Sequence, residues 1–559
     1  MRITTRVLTL VATVGALVAP TVLVHPGGAA ARPAGVVWRP CPEDPTAQCG
    51  TITVPVDWSR PYGGTVDVAL ARRRATDPAA RIGSLLVNPG GPGGSGVDFA
   101  LFGADYFSPE VTRRFDLVGF DPRGVGRSHP VRCSLDLLFQ APSPDLRSQA
   151  DFTAMVRYNR RLGADCRRHT GPLFDHVDTL STVRDLDAIR AALGERALTY
   201  YGISYGTLIG QQYAQLFPHR VRALALDSNM DHSLGTRDFL RTTTITAQDS
   251  FTEFVKGCQR DRRCALAGRD IRALWHDLLR RADRGQLKNP FDPSYLVTSW
   301  DLINTAFAAG YGPDWFALAE LLVWVDTGRV PGPTAGERTR ALARRMLVRP
   351  GPPAAAAAPR PSAPTGPAPV SRSAEPDLVE NAFPAVFCSD WRLPARDYRE
   401  YAGYQREMAR LAPDVRYTAI GVASFAACLG WPARVANPQR PLVPRGDAPL
   451  LLANTEHDPA TGILWARNAA RQLRGQATLL TYRGWGHGAY GRGRCVTGAV
   501  DRYLVSRRTP PPGTRCPAIP PEPHESVSAR GVAPGGPPRW PVGPRRGVPG
   551  FAGPAGAGR

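Results

Sequence analysis

A serine, an aspartate and a histidine in this chain have the types and the order that nucleophilic catalysis requires. The serine lies in the pentapeptide Gly-Ile-Ser-Tyr-Gly at 202–206, after a short β-branched and aromatic run and before a helical pattern. A serine on a sharp strand-to-helix turn needs small residues two positions away on either side, and its hydroxyl then stands exposed at the helix N-terminus. We therefore predict that Ser204 is a nucleophile.

The other two residues follow much later in the chain. A serine nucleophile needs a base that removes its proton, and the base needs a carboxylate that holds its tautomer. Asp458 follows the apolar run 449–453, and His487 follows the run 477–482 in a Gly-His-Gly segment whose glycines let the loop approach the serine. We predict that His487 is the general base and that Asp458 orients it, with Glu456 as the rival acid.

Two further histidines, His457 and His524, lie in this last part of the chain. His524 belongs to a low-complexity tail, and His457 sits beside the predicted acid. The order serine, acid, histidine is that of α/β-hydrolases, where the last two residues lie on loops after the final strands. This order favours His487 as the base.

Acyl transfer also needs donors for the oxyanion of the tetrahedral intermediate. One predicted donor is the backbone N–H of Tyr205, directly after the serine, and the second is that of Gly91 in the glycine-rich stretch 88–96. The alternative for this stretch is a phosphate-binding loop. The Gly-x-x-x-x-Gly-Lys-Ser/Thr pattern is absent from it, and its prolines remove donors.

The sequence predicts that the elements which position these residues are strands that alternate with helices or long loops. Short apolar runs without alternation are typical of strands buried on both faces of a parallel sheet. They occur at 82–87, 115–120, 198–203, 221–226, 449–453 and 477–482. Segments 49–57 and 64–72 alternate in period two and predict an antiparallel hairpin at a sheet edge. The fold class predicted is α/β, a doubly wound and mostly parallel sheet.

The strand pattern lapses between residues 231 and 447, where helix-like segments appear at 239–258, 271–284, 315–327 and 397–411. We predict a large, mainly helical lid there, inserted between strands, with a disordered Pro/Ala-rich loop at about 349–374. The predicted parts of the chain are therefore a signal peptide (1–31), a first core part (32–230), the lid (231–447), a second core part (448–516) and a disordered tail (517–559).

The N-terminus and the cysteines predict export. Arg2 and Arg6 precede an apolar run from Val7 to Val24, and three alanines before Arg32 are typical of a signal-peptide cleavage site. The ten cysteines are an even number, which in an exported protein indicates disulfides. They fall into neighbouring pairs along the chain, but spacing alone leaves their connectivity open. We predict a secreted protein with no membrane attachment after signal cleavage.

Composition excludes other classes. The 559-residue chain has a net charge of +21, but Lys256 and Lys288 are its only lysines and arginines are scattered through every segment. Because no basic stripe with interleaved aromatic residues occurs, we predict no nucleic-acid partner. No CxxC motif and no histidine at zinc-like spacing stands beside the cysteines, so we predict no metal and no cofactor. The sequence makes no prediction of an oligomeric state.

At these motifs the chain resembles the secreted tripeptidyl-aminopeptidase group of α/β-hydrolases, which is related to the proline iminopeptidases. The likeness covers nearly all of the mature chain and rests on the hairpin, the segments 88–96, 121–128 and 201–207, and the loops that carry Asp458 and His487. It implies an enzyme that releases short peptides from free N-termini. Such an enzyme must bind a protonated α-amine, for which the candidate carboxylates are Asp390, Glu380 and Asp231.

Two alternatives stay open at this point. A secreted carboxylic-ester hydrolase would use the same three residues, since they do not distinguish an ester from an amide. A protein of another class would keep the cleft only to bind peptides without catalysis. The three catalytic residue types, present together and in order, argue against this second alternative.

Overall fold

The structure is a computed structural model that describes residues 35–290, 292–329, 339 and 377–522. The predicted signal peptide, the predicted Pro/Ala-rich loop, His524 and the part of the predicted tail beyond residue 522 lie outside the described residues.

Ten strands form one sheet, and four short strands form two small pairs beside it. Along the chain the strands are Arg39–Pro40 (β1), Gln48–Pro55 (β2), Thr65–Arg73 (β3), Gly83–Asn88 (β4), Phe115–Phe120 (β5), Arg132–Ser134 (β6), Leu198–Ile203 (β7), Val221–Asp227 (β8), Lys288–Asn289 (β9), Asp292–Leu296 (β10), Leu378–Glu380 (β11), Leu450–His457 (β12), Ala477–Trp485 (β13) and Arg515–Cys516 (β14).

The main sheet has the order β1-β2-β3-β5-β4-β7-β8-β12-β13-β14. From β5 to β14 every neighbouring pair is parallel, and the pairs from β1 to β5 are antiparallel. Every residue of β4, β5 and β7 is buried, which explains their unbroken apolar runs. The predicted α/β class with a mostly parallel sheet is confirmed. The predicted hairpin is β2 with β3, paired from Gln48 opposite Arg72 to Pro55 opposite Thr65.

Helices lie between these strands. Their bounds are Gly96–Phe102 (α1), Pro109–Arg114 (α2), Leu135–Phe139 (α3), Gln149–Thr170 (α4), Thr179–Ala192 (α5), Tyr205–Leu216 (α6), Thr236–Arg260 (α7), Ile271–Asp283 (α8), Ser299–Tyr311 (α9), Trp315–Thr327 (α10), Ala382–Asp390 (α11), Tyr398–Leu411 (α12), Ala419–Cys428 (α13), Ile463–Gln472 (α14) and Arg494–Ser506 (α15).

The segment between β8 and β12 is mainly helical and contains α7 to α13 among the described residues. Its strand β11 pairs with β6, which precedes α4 in the first part of the chain. The four predicted helical segments of this region correspond to α7, α8, α10 and α12, whereas α9, α11 and α13 were not predicted. The division of the whole chain into core, lid and tail stays a prediction.

All ten cysteines are paired in disulfides. The bonds join cysteines that follow one another along the chain: Cys41–Cys49, Cys133–Cys166, Cys258–Cys264, Cys388–Cys428 and Cys495–Cys516. The structure thus confirms the predicted disulfides and decides a connectivity that spacing left open.

A search for membrane-spanning segments within the described residues finds no helix with both the length and the apolar character that a bilayer requires.

Candidate active site

Ser204 occupies a strained turn between β7 and α6. Its backbone has φ 56° and ψ −123°, a conformation that residues with a side chain rarely adopt. A Cβ atom on Gly202 would lie 2.5 Å from the carbonyl oxygen of Gly206, and one on Gly90 would lie 2.4 Å from that of Ile203. The turn therefore depends on glycine within the pentapeptide and also on glycine in the loop after β4 that packs on it.

His487 and Asp458 form a buried hydrogen-bonded pair. His487 Nδ1 lies 3.0 Å from each carboxylate oxygen of Asp458, and the exposed fractions of the two residues are 3% and 1%. Asp458 follows β12, whereas His487 follows β13, so the pair joins the ends of two neighbouring parallel strands. A carboxylate in this place holds the imidazole in the tautomer whose Nε2 can accept a proton.

The surroundings of Asp458 keep it ionised. Burial alone would raise its pKa, but the charge of His487 and hydrogen bonds from His487, from the Ser228 hydroxyl and from the Ala460 N–H together hold the pKa below its ordinary value. The Thr461 hydroxyl adds a contact, lying 3.1 Å from Asp458 Oδ2 and 3.4 Å from His487 Nδ1. Asp458 is therefore a carboxylate that can stabilise a protonated His487.

Asp227 and Ser228, at the end of β8, connect the serine turn to the histidine loop. The carbonyl of Asp227 accepts the N–H of Ser204 at 2.9 Å, and its buried carboxylate accepts the N–H groups of Ala489 and Tyr490, each at 2.8 Å. The Ser228 hydroxyl donates to Asp458 and accepts the N–H of Gly488. Sequence reasoning missed both residues, although Asp227 stands at a strand end, where functional residues of parallel sheets gather.

Helix α9 holds the histidine loop from the other side. The carbonyl of Tyr311, its last residue, accepts the N–H of His487 at 3.0 Å, and the two rings lie 4.8 Å apart. Tyr311 was not predicted as a site residue, since α9 itself was not predicted.

A small cavity opens at Ser204. The predicted oxyanion donors, Gly91 and Tyr205, both line it. Its other lining residues are mostly apolar and come from the loops after β4, β8 and β12, from α14 and from the helical segment between β8 and β12. They are Pro92, Met230, Phe239, Thr243, Phe383, Phe387, Ile420, Ser424, Ala460, Thr461 and Trp465. Among the described residues that line this cavity, none carries a charged side chain.

Glu456 and His457 lie next to Asp458 in sequence but bind elsewhere. Glu456 accepts a hydrogen bond from Arg515 at 2.6 Å and is not a partner of His487 in any contact that the structure gives. His457 Nδ1 lies 2.8 Å from Asp249 Oδ2 on α7. Of the two predicted acids, the structure therefore places Asp458 on His487.

Within the described part of the chain, one group of side chains has ligand atoms close enough together to hold a metal ion. It consists of Asp249, Glu253 and His457, whose ligand atoms lie within 4.8 Å of one another. The carboxylate of Glu253 already accepts Lys256 Nζ at 2.8 Å and Trp485 Nε1 at 2.9 Å. Burial would lower the pKa of His457, but the hydrogen bond and charge of Asp249 raise it above its ordinary value. Lys256 thus places a cationic side chain of the protein itself beside these acids, and Asp249 favours the protonated form of His457.

The three predicted amine-binding carboxylates hold protein elements together and do not line the cavity. Asp390 is fully buried, and it accepts the N–H and the hydroxyl of Thr179, the Tyr205 hydroxyl and the Asn437 amide. Asp231 is 2% exposed and accepts from Ser233, Asn468 and Gln472.

Glu380, on β11, accepts the N–H of Gly126 at 2.8 Å, and burial raises its pKa. The structure places none of the three acids in the lining of the cavity at Ser204, and their role in binding a substrate amine stays a prediction. The donors that Asp390 and Asp231 already accept from argue against a substrate amine on either carboxylate.

We expect the buried carboxyl group of Asp390 to make the stability of the folded protein depend on pH. Burial, reinforced by the charge of Asp178, raises its pKa from 3.8 to about 7. Because the folded protein favours the neutral acid, this stabilisation is fully present below the unfolded pKa of 3.8 and is lost as the pH rises through about 7. In Asp390→Asn we expect that loss, up to about 4 kcal/mol, to disappear.

The measurement is the free energy of urea unfolding between about pH 4 and pH 8 for the wild type and the variant. Asparagine suits the site because Oδ2 faces the hydroxyls of Thr179 and Tyr205, which can rotate to accept. Exposed Asp136→Asn is the matched control and keeps the wild-type pH profile. Parallel profiles for Asp390→Asn and the wild type would contradict the role given to Asp390.

Comparison with known proteins matches two family models. One, described as alpha/beta hydrolase fold, matches residues 83–319, and the other, described as TAP-like protein, matches residues 416–516. The first model contains Ser204 and Gly91, and the second contains Asp458 and His487. Together with the sheet order they define the class: an α/β-hydrolase, and by chemistry a serine hydrolase.

Three relatives cover most of the chain. The chain is 33% identical over 512 residues to serine protease Hip1 of Mycobacterium tuberculosis. The match spans 86% of this chain and 91% of Hip1. It is 32% identical over 505 residues to tripeptidyl aminopeptidase of Streptomyces lividans, 86% of each chain. It is also 32% identical over 488 residues to carboxylesterase B of Mycobacterium tuberculosis, 84% of this chain and 86% of that one. The chain belongs to this family of serine hydrolases and peptidases.

Proposed function

We propose that this chain is an exported serine aminopeptidase that releases short peptides, tripeptides or similar, from the free N-termini of peptides. The observation that carries the proposal is the buried Asp458–His487 pair, which Asp227 ties to the turn of Ser204. The peptidases among the relatives support the choice of a peptide as the substrate.

In the proposed acylation step, His487 Nε2 takes the proton of the Ser204 hydroxyl while Oγ attacks the carbonyl carbon of the scissile amide. The oxyanion that forms accepts hydrogen bonds from the N–H groups of Gly91 and Tyr205. Protonated His487, stabilised by Asp458, then gives its proton to the leaving amine, and the C–N bond breaks. An acyl-enzyme and the shortened peptide result.

The second step repeats this proton transfer with water. His487 takes a proton from the water as its oxygen attacks the ester carbonyl, and then returns a proton to Ser204 Oγ as the ester bond breaks. The acid is released and the enzyme is restored. Asp458 stays a carboxylate throughout, in agreement with the lowered pKa of that group.

The proposed location outside the cytoplasm is supported by the disulfides. The described residues contain five such bonds, which form and persist in oxidising compartments. The signal-like N-terminus of the sequence points to the same compartment.

The cavity at Ser204 supports an apolar residue on the acyl side of the scissile bond. Phe239, Phe383, Phe387, Met230 and Trp465 supply most of its wall. An apolar side chain placed among them is removed from water at little polar cost, whereas a charged side chain would lose its hydration without a partner.

The test is a set of chromogenic tripeptidyl amides, each with a free or an acetylated N-terminus. A charged amine that pairs with the enzyme contributes about 1.5–3 kcal/mol, so we expect kcat/KM to be about 10- to 100-fold higher for the free amines. Aminoacyl and dipeptidyl amides measured alongside define the product length. Equal activity on free and acetylated substrates would exclude an aminopeptidase.

An ester hydrolase is the second candidate, and a specific observation favours it. None of the described residues that line the cavity at Ser204 is a carboxylate, so this cavity offers no partner for a substrate amine. A preference for p-nitrophenyl esters over every peptide amide, with no effect of a free amine, would support this candidate.

A further inference from the structure

The residue directly after the nucleophile is held by its side chain as well as by its backbone. Tyr205 is 3% exposed, and its ring contacts that of Phe387 with a centroid distance of 6.2 Å. Its hydroxyl donates a hydrogen bond to Oδ2 of Asp390 at 2.6 Å. The proposed acylation step uses the N–H of Tyr205 and gives this hydroxyl no part.

The carboxylate that accepts the hydroxyl is itself held by several donors. Asp390 is fully buried, and it accepts the N–H of Thr179 at 2.9 Å, the Thr179 hydroxyl at 2.5 Å and the Asn437 amide at 2.9 Å. Thr179 is the first residue of α5, and Asp390 is the last residue of α11. The hydrogen bond from Tyr205 therefore ties the start of α6 to both of these helices.

Helix α11 is also held in place at the cavity. The disulfide Cys388–Cys428 joins it to α13. Phe387 of α11 and Ile420 of α13 both line the cavity at Ser204. Asp390 lies one helical turn after Phe387, so the carboxylate stands at the end of a helix whose position other bonds determine.

The serine turn needs such contacts because its backbone is strained. Ser204 has φ 56°, and a conformation of this kind persists only where surrounding contacts hold it. The Thr207 hydroxyl donates to the carbonyl of Ser204 at 2.6 Å. This carbonyl and the N–H of Tyr205 belong to the same peptide group. One bond thus acts on that peptide group directly, and the bond to Asp390 acts on it through the Tyr205 side chain.

The direction of the Tyr205 N–H matters for the reaction. As the first residue of α6, Tyr205 has no carbonyl within the helix that could accept its N–H, so this donor is left for another acceptor. A donor stabilises an oxyanion only at a distance of about 2.7–3.1 Å, and loss of one donor lowers kcat by about a hundredfold to a thousandfold. A small displacement of this N–H is therefore expected to lower the rate.

We propose that Asp390 is a positioning residue for catalysis, which acts through the Tyr205 hydroxyl to hold the Tyr205 N–H at the place where the oxyanion forms. This inference rests on the proposed function, in which that N–H is an oxyanion donor. Asp390 itself does not line the cavity at Ser204. Its removal should therefore change the rate of the chemical steps and leave substrate binding nearly unchanged.

The first test variant is Tyr205→Phe, which removes the hydroxyl and keeps the ring beside Phe387. We expect kcat to fall about tenfold, on a tripeptidyl p-nitroanilide and on a p-nitrophenyl ester alike, with KM changed by less than about twofold. The inhibition constant of a tripeptidyl trifluoromethyl ketone, whose adduct with Ser204 carries the oxyanion, should rise by the same factor as kcat falls. Burial raises the pKa of Asp390 to about 7, so the rates are measured at about pH 8, where this group is ionised.

The second variant, Asp390→Asn, replaces the charged acceptor by an amide that can still bond the hydroxyl. Because hydrogen bonds to a charged group are about twice as strong as neutral ones, we expect this variant alone to lower kcat about threefold. In the Tyr205→Phe background the same substitution should have no effect on kcat. A loss that requires the Tyr205 hydroxyl identifies the route by which Asp390 acts.

Tyr213→Phe is the matched control. Tyr213 also lies on α6, is fully buried and donates to Asp187 Oδ1 at 2.9 Å, but it does not line the cavity. It should lose stability in urea unfolding to an extent similar to Tyr205→Phe and keep the wild-type kcat. All values of kcat are expressed per site that a fluorophosphonate labels, so an unfolded fraction does not lower them.

An unchanged kcat in Tyr205→Phe, or a rise in KM at constant kcat, would overturn the inference. So would a change of kcat in Asp390→Asn that is the same with and without the Tyr205 hydroxyl. These outcomes leave the proposed function in place, since the wild type still cleaves the tripeptidyl amide. A wild type that hydrolyses the ester but no amide would overturn the aminopeptidase, and the ester rates would then decide the inference. A wild type without activity on either substrate would overturn both.

Discussion

Ser204→Ala is expected to lower kcat on the best tripeptidyl amide by about a millionfold, to the level that binding and oxyanion stabilisation alone support. The variant has no nucleophile that could form an acyl-enzyme, and a water molecule would have to attack the substrate directly. The turn itself should persist, because alanine is smaller than serine and Gly202 and Gly206 remain. The measurement is the single-turnover rate, together with covalent labelling by a fluorophosphonate.

The matched control for this prediction is Ser506→Ala, an exposed serine at the end of α15. It should be labelled and should turn over substrate like the wild type. Labelling of Ser204→Ala to the wild-type extent would contradict the assignment of the nucleophile. Absence of labelling in the wild type would instead favour a protein that binds peptides without catalysis.

Asp458→Asn is expected to lower kcat by about 10⁴-fold at neutral pH. The carboxylate now faces His487 Nδ1 with both oxygens at 3.0 Å. In the variant, Oδ1 can keep the N–H groups of Ala460 and Thr461, so the amide nitrogen takes the place of Oδ2 and donates to Nδ1. The imidazole then carries its proton on Nε2, where it can no longer accept the proton of Ser204.

The measurement for Asp458→Asn is the pH profile of kcat/KM with its thermal unfolding as a check on folding. Because the variant changes the tautomer of the imidazole, we expect its loss of kcat/KM to persist across the pH range in which the wild type is at its plateau. Asp397→Asn is the matched control, because asparagine caps a helix as well as aspartate does and this residue caps α12. Activity within tenfold of the wild type in Asp458→Asn would contradict its role, and Glu456→Gln would then be the next variant to test.

The turn of Ser204 could be predicted because its causes are local. The pentapeptide carries its own steric requirement, and the strand before it and helix after it have apolar patterns of different period. The same holds for β4, β5 and β7, whose buried faces leave unbroken apolar runs in the sequence. Residues that act through their immediate neighbours leave a signal within about ten positions.

The choice between Asp458 and Glu456 as the acid that binds His487 could not be decided in the same way. Glu456 and Asp458 both stand at the end of β12, and two residues along a strand lie on the same face. Which of them meets His487 depends on where β12 stops and the chain turns, and on Ser228 and the N–H groups that hold the carboxylate. The contact between Ser228 and Asp458 joins residues 230 positions apart.

Whether Asp390 and Asp231 could reach a substrate amine was hidden from the sequence for a related reason. An acidic residue in a helical segment looks the same in sequence whether it faces a substrate or fills a buried network. Only packing shows that Asp390 joins α5, α6 and the segment near Asn437. The opposite case is Asp227, a single aspartate at a strand end, which the tertiary structure makes the link between the serine turn and the histidine loop.

The sequence by itself determined the class of fold, the presence of disulfides, and Ser204 and His487 as the nucleophile and base proposed for catalysis, because strand periodicity, cysteine number and chain order are all one-dimensional properties. The tertiary structure alone decided the acid that binds His487, the pairing of the cysteines, and the residues that line the cavity at Ser204. These depend on distances between segments that are remote in sequence. Helix α9 is an example, since the carbonyl of its Tyr311 accepts the N–H of His487, a residue 176 positions further along the chain.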